Sequence, residues 1–325
     1  MADRTPQILV VSTAVDRATD LVIADIESRG VACTRINTED FPFEDRLSAQ
    51  FQNDEPPTLR YQSGERVWEG RPTSVWYRRM RSAPRPPDVN AGVYDFCLRE
   101  SRAALVGSVL ALHSRIMSDP AAAWRAEHKP FQLQAAQNSG FRIPRTLISN
   151  DPDHIRTAYR ECEGQMIVKP VRTGYVDLGE EQRAIYTSRV LEEHLEHLDE
   201  ARFSPSIYQP LIAKRCDVRV TYVGGRLFVA EIDSQTDPAA HIDWRRTSNP
   251  QLPHRRAVLP EPIERSVLRL MEDLQLQFGA IDLIRTPGGE YIFLEVNPSG
   301  QWLWLDDILD FGITRAVGDW LVGGN

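Results

Sequence analysis

Gly279-Ala280-Ile281-Asp282-Leu283-Ile284, the turn residues Pro287-Gly288-Gly289, and Tyr291-Ile292-Phe293-Leu294-Glu295-Val296-Asn297-Pro298 together read as a β-hairpin. Two apolar runs flank a turn that Pro287, Gly288 and Gly289 can make. Side chains alternate along a strand, so Glu295 and Asn297 share one face of the second strand, and Asp282 on the first can turn the same way. Two carboxylates and a carboxamide converging on one point form a hard-cation site, suited to Mg²⁺ bridging nucleotide phosphates. A buried Asp and Glu without such a cation would be costly. A surface hairpin with outward acids carries the same letters, so the neighbouring segments must decide.

Upstream of the hairpin the pattern is β-rich. Met166–Lys169, Ala184–Thr187 and Ser206–Gln209 read as strands, and residues 217–223 and 226–232 as a hairpin turning at Gly224-Gly225. Residues 262–277 form an amphipathic helix leading into the Asp282 strand, and a last helix spans 311–322. Residues 129–139 are helical up to Gly140, Ile143–Ile148 is a strand, and Asn150 or Asp151 caps a helix running to Cys162. At the start of the chain, 7–12 is a buried strand, 16–29 a helix closed by Gly30, and 31–36 a second strand. This βαβ opening predicts a parallel sheet. Residues 47–53 and 58–69 read as an antiparallel insertion turning at Ser63-Gly64. Ser74–Arg79 resumes the sheet, Pro84-Arg85-Pro86-Pro87 breaks it, and a helix follows from about 91 to 115. The expected class is therefore mixed α/β and α+β.

At 325 residues the chain exceeds one typical domain. Its 42% hydrophobic and 26% charged residues are ordinary for a globular protein, and its net charge of −8 argues against a general nucleic-acid binder. Cys33, Cys97, Cys162 and Cys216 show no Cys-x-x-Cys pairing, which predicts free thiols rather than a zinc site or a disulfide framework. Ile8–Val11 is too short an apolar run for a signal or membrane segment, so a cytoplasmic protein with no membrane association is expected.

Several further residues suit phosphate chemistry. Lys169 ends a strand beside the loop Val171–Glu181, which holds Gly174 and Gly179. Such a lysine can point at phosphate oxygens while loop amides cover them. Lys129 opens a helix. Gln209-Pro210-Leu211-Ile212 follows a strand, and its proline leaves backbone groups free to meet an adenine edge. Lys214, Asp217 and Arg219 come next, with Asp217 and Arg219 on one strand face. A cation at Arg219 near Asp282, Glu295 and Asn297 would suit a γ-phosphate or an acyl phosphate.

The order of these features resembles the ATP-grasp ligases over roughly residues 118–322. That resemblance implies an ATP-grasp fold with ATP clamped between two α+β halves. It implies three units: an N-terminal pre-ATP-grasp domain over 1–117, a central subdomain over 118–205 and a C-terminal subdomain over 206–325. Carried across, Lys129 and Lys169 bind the triphosphate, Gln209–Ile212 holds adenine through its backbone, and Lys214 and Asp217 lie in the nucleotide site near the ribose. Asp282, Glu295 and Asn297 hold two Mg²⁺ ions. Arg219 and Arg245 stabilise the transferred phosphoryl group or the bound carboxylate. Gln209 stands where many ATP-grasp enzymes carry an acidic residue, so backbone recognition of adenine is expected to dominate.

A narrower resemblance spans nearly the whole chain. Val75-Trp76-Tyr77-Arg78-Arg79, Glu127–Leu133, Ala230–Gln235, Ile242-Asp243-Trp244-Arg245 and Asn297–Trp304 look like the microviridin-type graspetide synthetases. The resemblance implies a ligase that activates Asp or Glu side chains of a ribosomal precursor peptide and closes ester or amide macrocycles. The implied partners are ATP, Mg²⁺ and a precursor peptide with a leader segment, and a homodimer is expected. Trp302 and Trp304, two apart beside the metal hairpin, read as packing residues, with walling of the peptide pocket as their functional alternative. Glu192 and Glu193 lie on an acidic helix expected over 189–200, which reads as a solvated face or, as its functional alternative, as the surface that docks the leader. No general base is evident.

Overall fold

The computed structural model describes residues 8–172, 174–177, 182–249 and 251–323. The predicted βαβ opening forms as β1 (Ile8–Ser12), α1 (Arg17–Ser28) and β2 (Cys33–Asn37). The antiparallel insertion follows as β3 (Arg46–Gln52), β4 (Glu55–Ser63) and β5 (Arg66–Gly70). The expected turn at Ser63-Gly64 joins β4 to β5, with Gly64 at a φ of +57°. The chain returns through β6 (Ser74–Tyr77), α2 (Ala91–Ala111) and the short β7 (Arg115–Met117), giving an all-parallel sheet of order β2-β1-β6-β7.

The central region opens with α3 (Pro120–Ala126), capped by Asp119, and α4 (Lys129–Asn138). It continues through β8 (Leu147–Ser149), α5 (Pro152–Glu161), β9 (Met166–Pro170), β10 (Tyr175–Asp177), β11 (Gln182–Ala184) and β12 (Ser188–Val190) to β13 (Ser206–Pro210). Asp151 is the cap of α5, its side chain accepting from the Asp153 and His154 amides. The expected strand at 184–187 corrects to the gap between β11 and β12, and the expected helix at 189–200 is a 3-10 helix over Glu192–Phe203. The sheet order is β12-β9-β13-β8, all antiparallel. Met166, Val168 and Tyr208 pack against Ile155 of α5 and Leu198 of the 3-10 helix. Alternation therefore sends Lys169 to the opposite face of this sheet.

The C-terminal region contains β14 (Cys216–Val223), β15 (Arg226–Ile232), β16 (His254–Arg256), α6 (Glu261–Asp273), β17 (Phe278–Arg285), β18 (Tyr291–Asn297), α7 (Leu303–Leu309) and α8 (Ile313–Val322). Its antiparallel sheet runs β16-β15-β14-β17-β18, and α4 and α6 cover one face around Leu133, Val267, Leu270, Ile281 and Phe293. A second core joins the two ends of the chain. Ile8, Val22 and Trp76 of the parallel-sheet region pack with Phe278, Trp302, Ile313 and Val317. Among the described residues, no helix is long and apolar enough to cross a membrane, and all four cysteines are free.

Candidate active site

The sheet register builds the centre of the site. Arg219 on β14 pairs across from Asp282 on β17, and Asp282 pairs across from Glu295 on β18. Three neighbouring strands thus line up a cation and two acids in one row, with Asn297 two residues further along the face of Glu295. Arg219 Nε lies 3.3 Å from Asp282 Oδ1. A register shift between Asp282 and Leu283 interrupts the β17–β18 ladder beside this row. Such irregularities re-aim side chains.

Two lysines face the row from the central region. Lys129, at the first turn of α4, reaches Glu295 Oε2 at 2.9 Å and the Pro170 carbonyl at 3.3 Å. Burial would raise the Glu295 carboxyl, yet Lys129 and Lys169 outweigh it and hold it well below the usual carboxylate range. Burial pushes Asp282 up, opposed by Arg219 and reinforced by the Glu295 charge. Burial, with Lys129 and Arg245 nearby, brings the Lys169 ammonium down to about 8 against the pull of Glu295. Two neighbouring acids with opposed shifts and a depressed lysine mark a site rather than a solvated face.

All seven of Lys129, Lys169, Asp217, Arg219, Asp282, Glu295 and Asn297 line one cleft of about 810 Å³. Arg245 lines it as well, its Nε and Nη2 bonded to the two oxygens of Asp243 at 2.9 and 2.8 Å. Lys214 makes a close pair with buried Asp217, Nζ to Oδ2 2.7 Å and to Oδ1 2.9 Å. The oxygen-only donor set Asp282, Glu295 and Asn297 suits Mg²⁺, which takes one or two carboxylates and leaves other positions to phosphate and water.

Comparisons with known proteins agree with this geometry. The model of the MvdD pre-ATP grasp domain matches residues 7–125. The macrocyclase MdnC of Microcystis aeruginosa, solved with its precursor peptide MdnA, is 32% identical over 97% of this chain and 99% of its own, with a TM-score of 0.86. The chain belongs to the graspetide-type ATP-grasp ligases. A ligase associated with ribosomal peptides in Chryseobacterium gregarium, solved with ADP and with a leader and core peptide, is 28% identical over 98% of this chain and 96% of its own, with a TM-score of 0.89. Macrocyclase MdnB of Microcystis aeruginosa is 32% identical over 98% of this chain and 100% of its own, with a TM-score of 0.81. No curated protein matches the sequence. The chain is accordingly an ATP-dependent, ADP-forming ligase.

The ligase departs from its sequence reading at the adenine segment. Gln209 and Pro210 are still in β13, paired with Ile167 and Met166, and they line a separate pocket of about 260 Å³. The Leu211 amide donates to the Gln165 carbonyl and is not free for a base. Trp302 takes the packing role, not the pocket wall. It is wholly buried, tilted against Phe278 at 5.0 Å, and its indole N–H donates to Thr314 Oγ1, so it packs rather than walls a pocket. Trp304 is partly buried beside Trp244, which does line the cleft. Glu192 and Glu193 lie exposed on the 3-10 helix, away from the cleft. Gly174 borders the cleft, whereas Gly179 lies outside the described residues.

Three further side chains line the cleft, to which the sequence assigned no individual role although their segments carry the family resemblance. Asp243 holds the Arg245 guanidinium and accepts from the Thr187 amide. Gln132, one turn beyond Lys129, donates to the Val296 carbonyl at 2.8 Å and accepts from the Val296 amide at 3.0 Å. It thereby satisfies the edge of β18 between Glu295 and Asn297. A glutamine on the buried side of an amphipathic helix was the available signal. Arg79 is the third.

Proposed function

We propose that this ligase activates an Asp or Glu side chain of a ribosomal precursor peptide as an acyl phosphate, then closes a macrocycle within the same peptide. The observation that carries the reading is the convergence of Lys129, Lys169, Arg219 and Arg245 with Asp282, Glu295 and Asn297 in one cleft. Lys129 and Lys169 bind the triphosphate, and Asp217 with Lys214 borders the ribose. With Leu211 engaged, adenine recognition passes to Ile212 and the nearby carbonyls. Mg²⁺, held as two ions by Asp282, Glu295 and Asn297, supplies neutralisation of phosphate charge when bound.

A peptide carboxylate oxygen attacks the γ-phosphorus and ADP leaves. A Ser or Thr hydroxyl or a Lys amine then attacks the acyl carbon, loses its proton, and phosphate departs with the former carboxylate oxygen. Arg219 and Arg245 stabilise the phosphoryl charge while positioning supplies most of the rate. Closure of the Gly174-bearing loop excludes water, the competing nucleophile. Three units, 1–117, 118–205 and 206–325, divide this work. The acidic face at Glu192 and Glu193 docks the leader, and two copies form a homodimer, tested by sedimentation.

The reaction is tested with a short ribosomal peptide rich in Thr and in Glu or Asp as substrate. ADP release that depends on the peptide, with loss of one water per ring by mass spectrometry, is the expected result. ADP release accompanied by a gain in peptide mass from an added amino acid would overturn cyclisation.

A further inference from the structure

Arg79 lies two residues beyond the C-terminal end of β6. Among the described cleft residues it alone comes from the parallel-sheet region. Ligands in open α/β sheets bind beyond such carboxyl ends. The other cleft arginines have a carboxylate close to their guanidinium: Arg172 with Glu127, Arg219 with Asp282 and Arg245 with Asp243. The Nη atoms of Arg79 instead meet neutral acceptors, and the one carboxylate near its Nε, Asp16 at 3.9 Å, is shared with Arg78. Arg79 Nη2 donates to the Ser299 carbonyl at 3.3 Å, and Gln301, with its amide oriented to accept, takes bonds from Nη2 at 2.7 Å and Nη1 at 3.2 Å.

Behind Arg79 the positive charge is in excess. Asp16 Oδ2 lies 3.6 Å from Arg78 Nε and 3.9 Å from Arg79 Nε, so one carboxylate faces two guanidinium groups. Arg78 is almost fully buried over Trp302 at 4.7 Å, and its Nε and Nη1 have no hydrogen-bond partner among the described residues. Buried charge left uncompensated is costly, and an anion entering the cleft beside Arg79 would offset it.

We infer that Arg79 is a specificity-determining residue that binds the peptide side-chain carboxylate before its phosphorylation. The inference rests on the ligase reading above and adds the group that selects the acid. A carboxylate rather than a nucleotide phosphate is favoured by position. The phosphate lysines come from α4 and β9, whereas Arg79 enters from the N-terminal region beside the Asn297–Gln301 segment. Gln301 and Ser299 hold the fork in place while leaving its charge for the ligand.

The test uses the full chain with Mg²⁺ and a non-hydrolysable ATP analogue. The probe is N-acetyl-glutamate methylamide, with the corresponding capped glutamine as control, titrated by NMR. Arg79→Met keeps the stem and removes the charge. It is expected to weaken the acid probe about ten- to a hundredfold, while ATP affinity and capped-glutamine binding stay unchanged. Equal binding of the acid probe by parent and variant would overturn the inference, and so would a parallel fall in ATP affinity, which would assign Arg79 to phosphate. Should Arg79→Met not fold, Arg79→Gln, which also removes the charge, provides the same comparison, and the same two results would overturn the inference. Peptide-dependent ADP release by the parent tests the ligase reading separately, so equal probe binding removes only the role of Arg79.

Discussion

Glu295 shows how one residue carries two duties: it faces Asp282 across the ladder and anchors Lys129 at 2.9 Å. Glu295→Gln or Asn297→Ala should abolish ligation while the melting temperature stays near that of the parent, because each removes a metal ligand without emptying the core. Near-parental ring formation by either variant at modest Mg²⁺ would retire the metal assignment. Lys169→Ala should weaken ATP about ten- to a hundredfold, read by calorimetry. A pH effect accompanies it. The depressed Lys169 ammonium loses its proton as pH rises through about 8, whereas ATP favours the charged form. Nucleotide binding just above that pH should therefore take up protons, and affinity should fall as pH increases further. Calorimetry in buffers of different ionisation enthalpy, without Mg²⁺, measures this uptake. Its absence in the parent would place Lys169 away from the phosphates.

At the scale of elements, the 3-10 helix Glu192–Phe203 buries Leu198 against α5 and turns Glu192, Glu193 and Glu196 to solvent, with Phe203 exposed at its end. An acidic face ending in an exposed aromatic suits a basic, amphipathic leader segment. Reversing Glu192 and Glu193 to Lys should raise KM for the precursor and leave ATP affinity unchanged, since the helix covers the sheet face opposite Lys169. The effect should shrink with salt, because exposed charges are screened over roughly 8–10 Å. Equal KM at low salt would move leader docking elsewhere. The segment after β18 is tightly constrained: a Cβ on Gly300 would lie 2.2 Å from the Ala280 Cβ. Close packing here keeps Asn297, Ser299 and Gln301 at the cleft.

Across the whole molecule, Trp302 links the two ends of the chain, stacked among Trp76, Phe278 and the Arg78 guanidinium. Trp302→Ala should destabilise by about 3–5 kcal/mol, the usual range for removing a large buried aromatic. The loss should appear in a single transition, because α1 and α8 share that core and Arg29 bridges Asp25 to Asp319. Separate transitions for the N-terminal and C-terminal regions would contradict a shared core.

The hairpin acids, Lys129, Lys169 and Arg219 were legible from the sequence because strand alternation and helix starts are local properties that fix which way a side chain points. Helices α4 and α5, strand β9 and the two hairpins after 216 were legible for the same reason, through Gly140, Asp151 and the Gly224-Gly225 turn, whereas α3 went unpredicted and the strand expected at 143–148 is only Leu147–Ser149. Local pattern could not separate β11 from β12 or reveal the 3-10 helix, where short apolar runs are ambiguous. Tertiary structure alone decided that Trp302 is core, that the Leu211 amide is already bonded, and that Gln132, Asp243 and Arg79 belong to the site. Each of these depends on a partner tens to hundreds of residues away: Thr314 and Trp76 for Trp302, Gln165 for Leu211, Val296 for Gln132, Gln301 for Arg79. Sequence spacing specifies faces and caps, but only packing brings distant faces together and determines which charges are left without a partner.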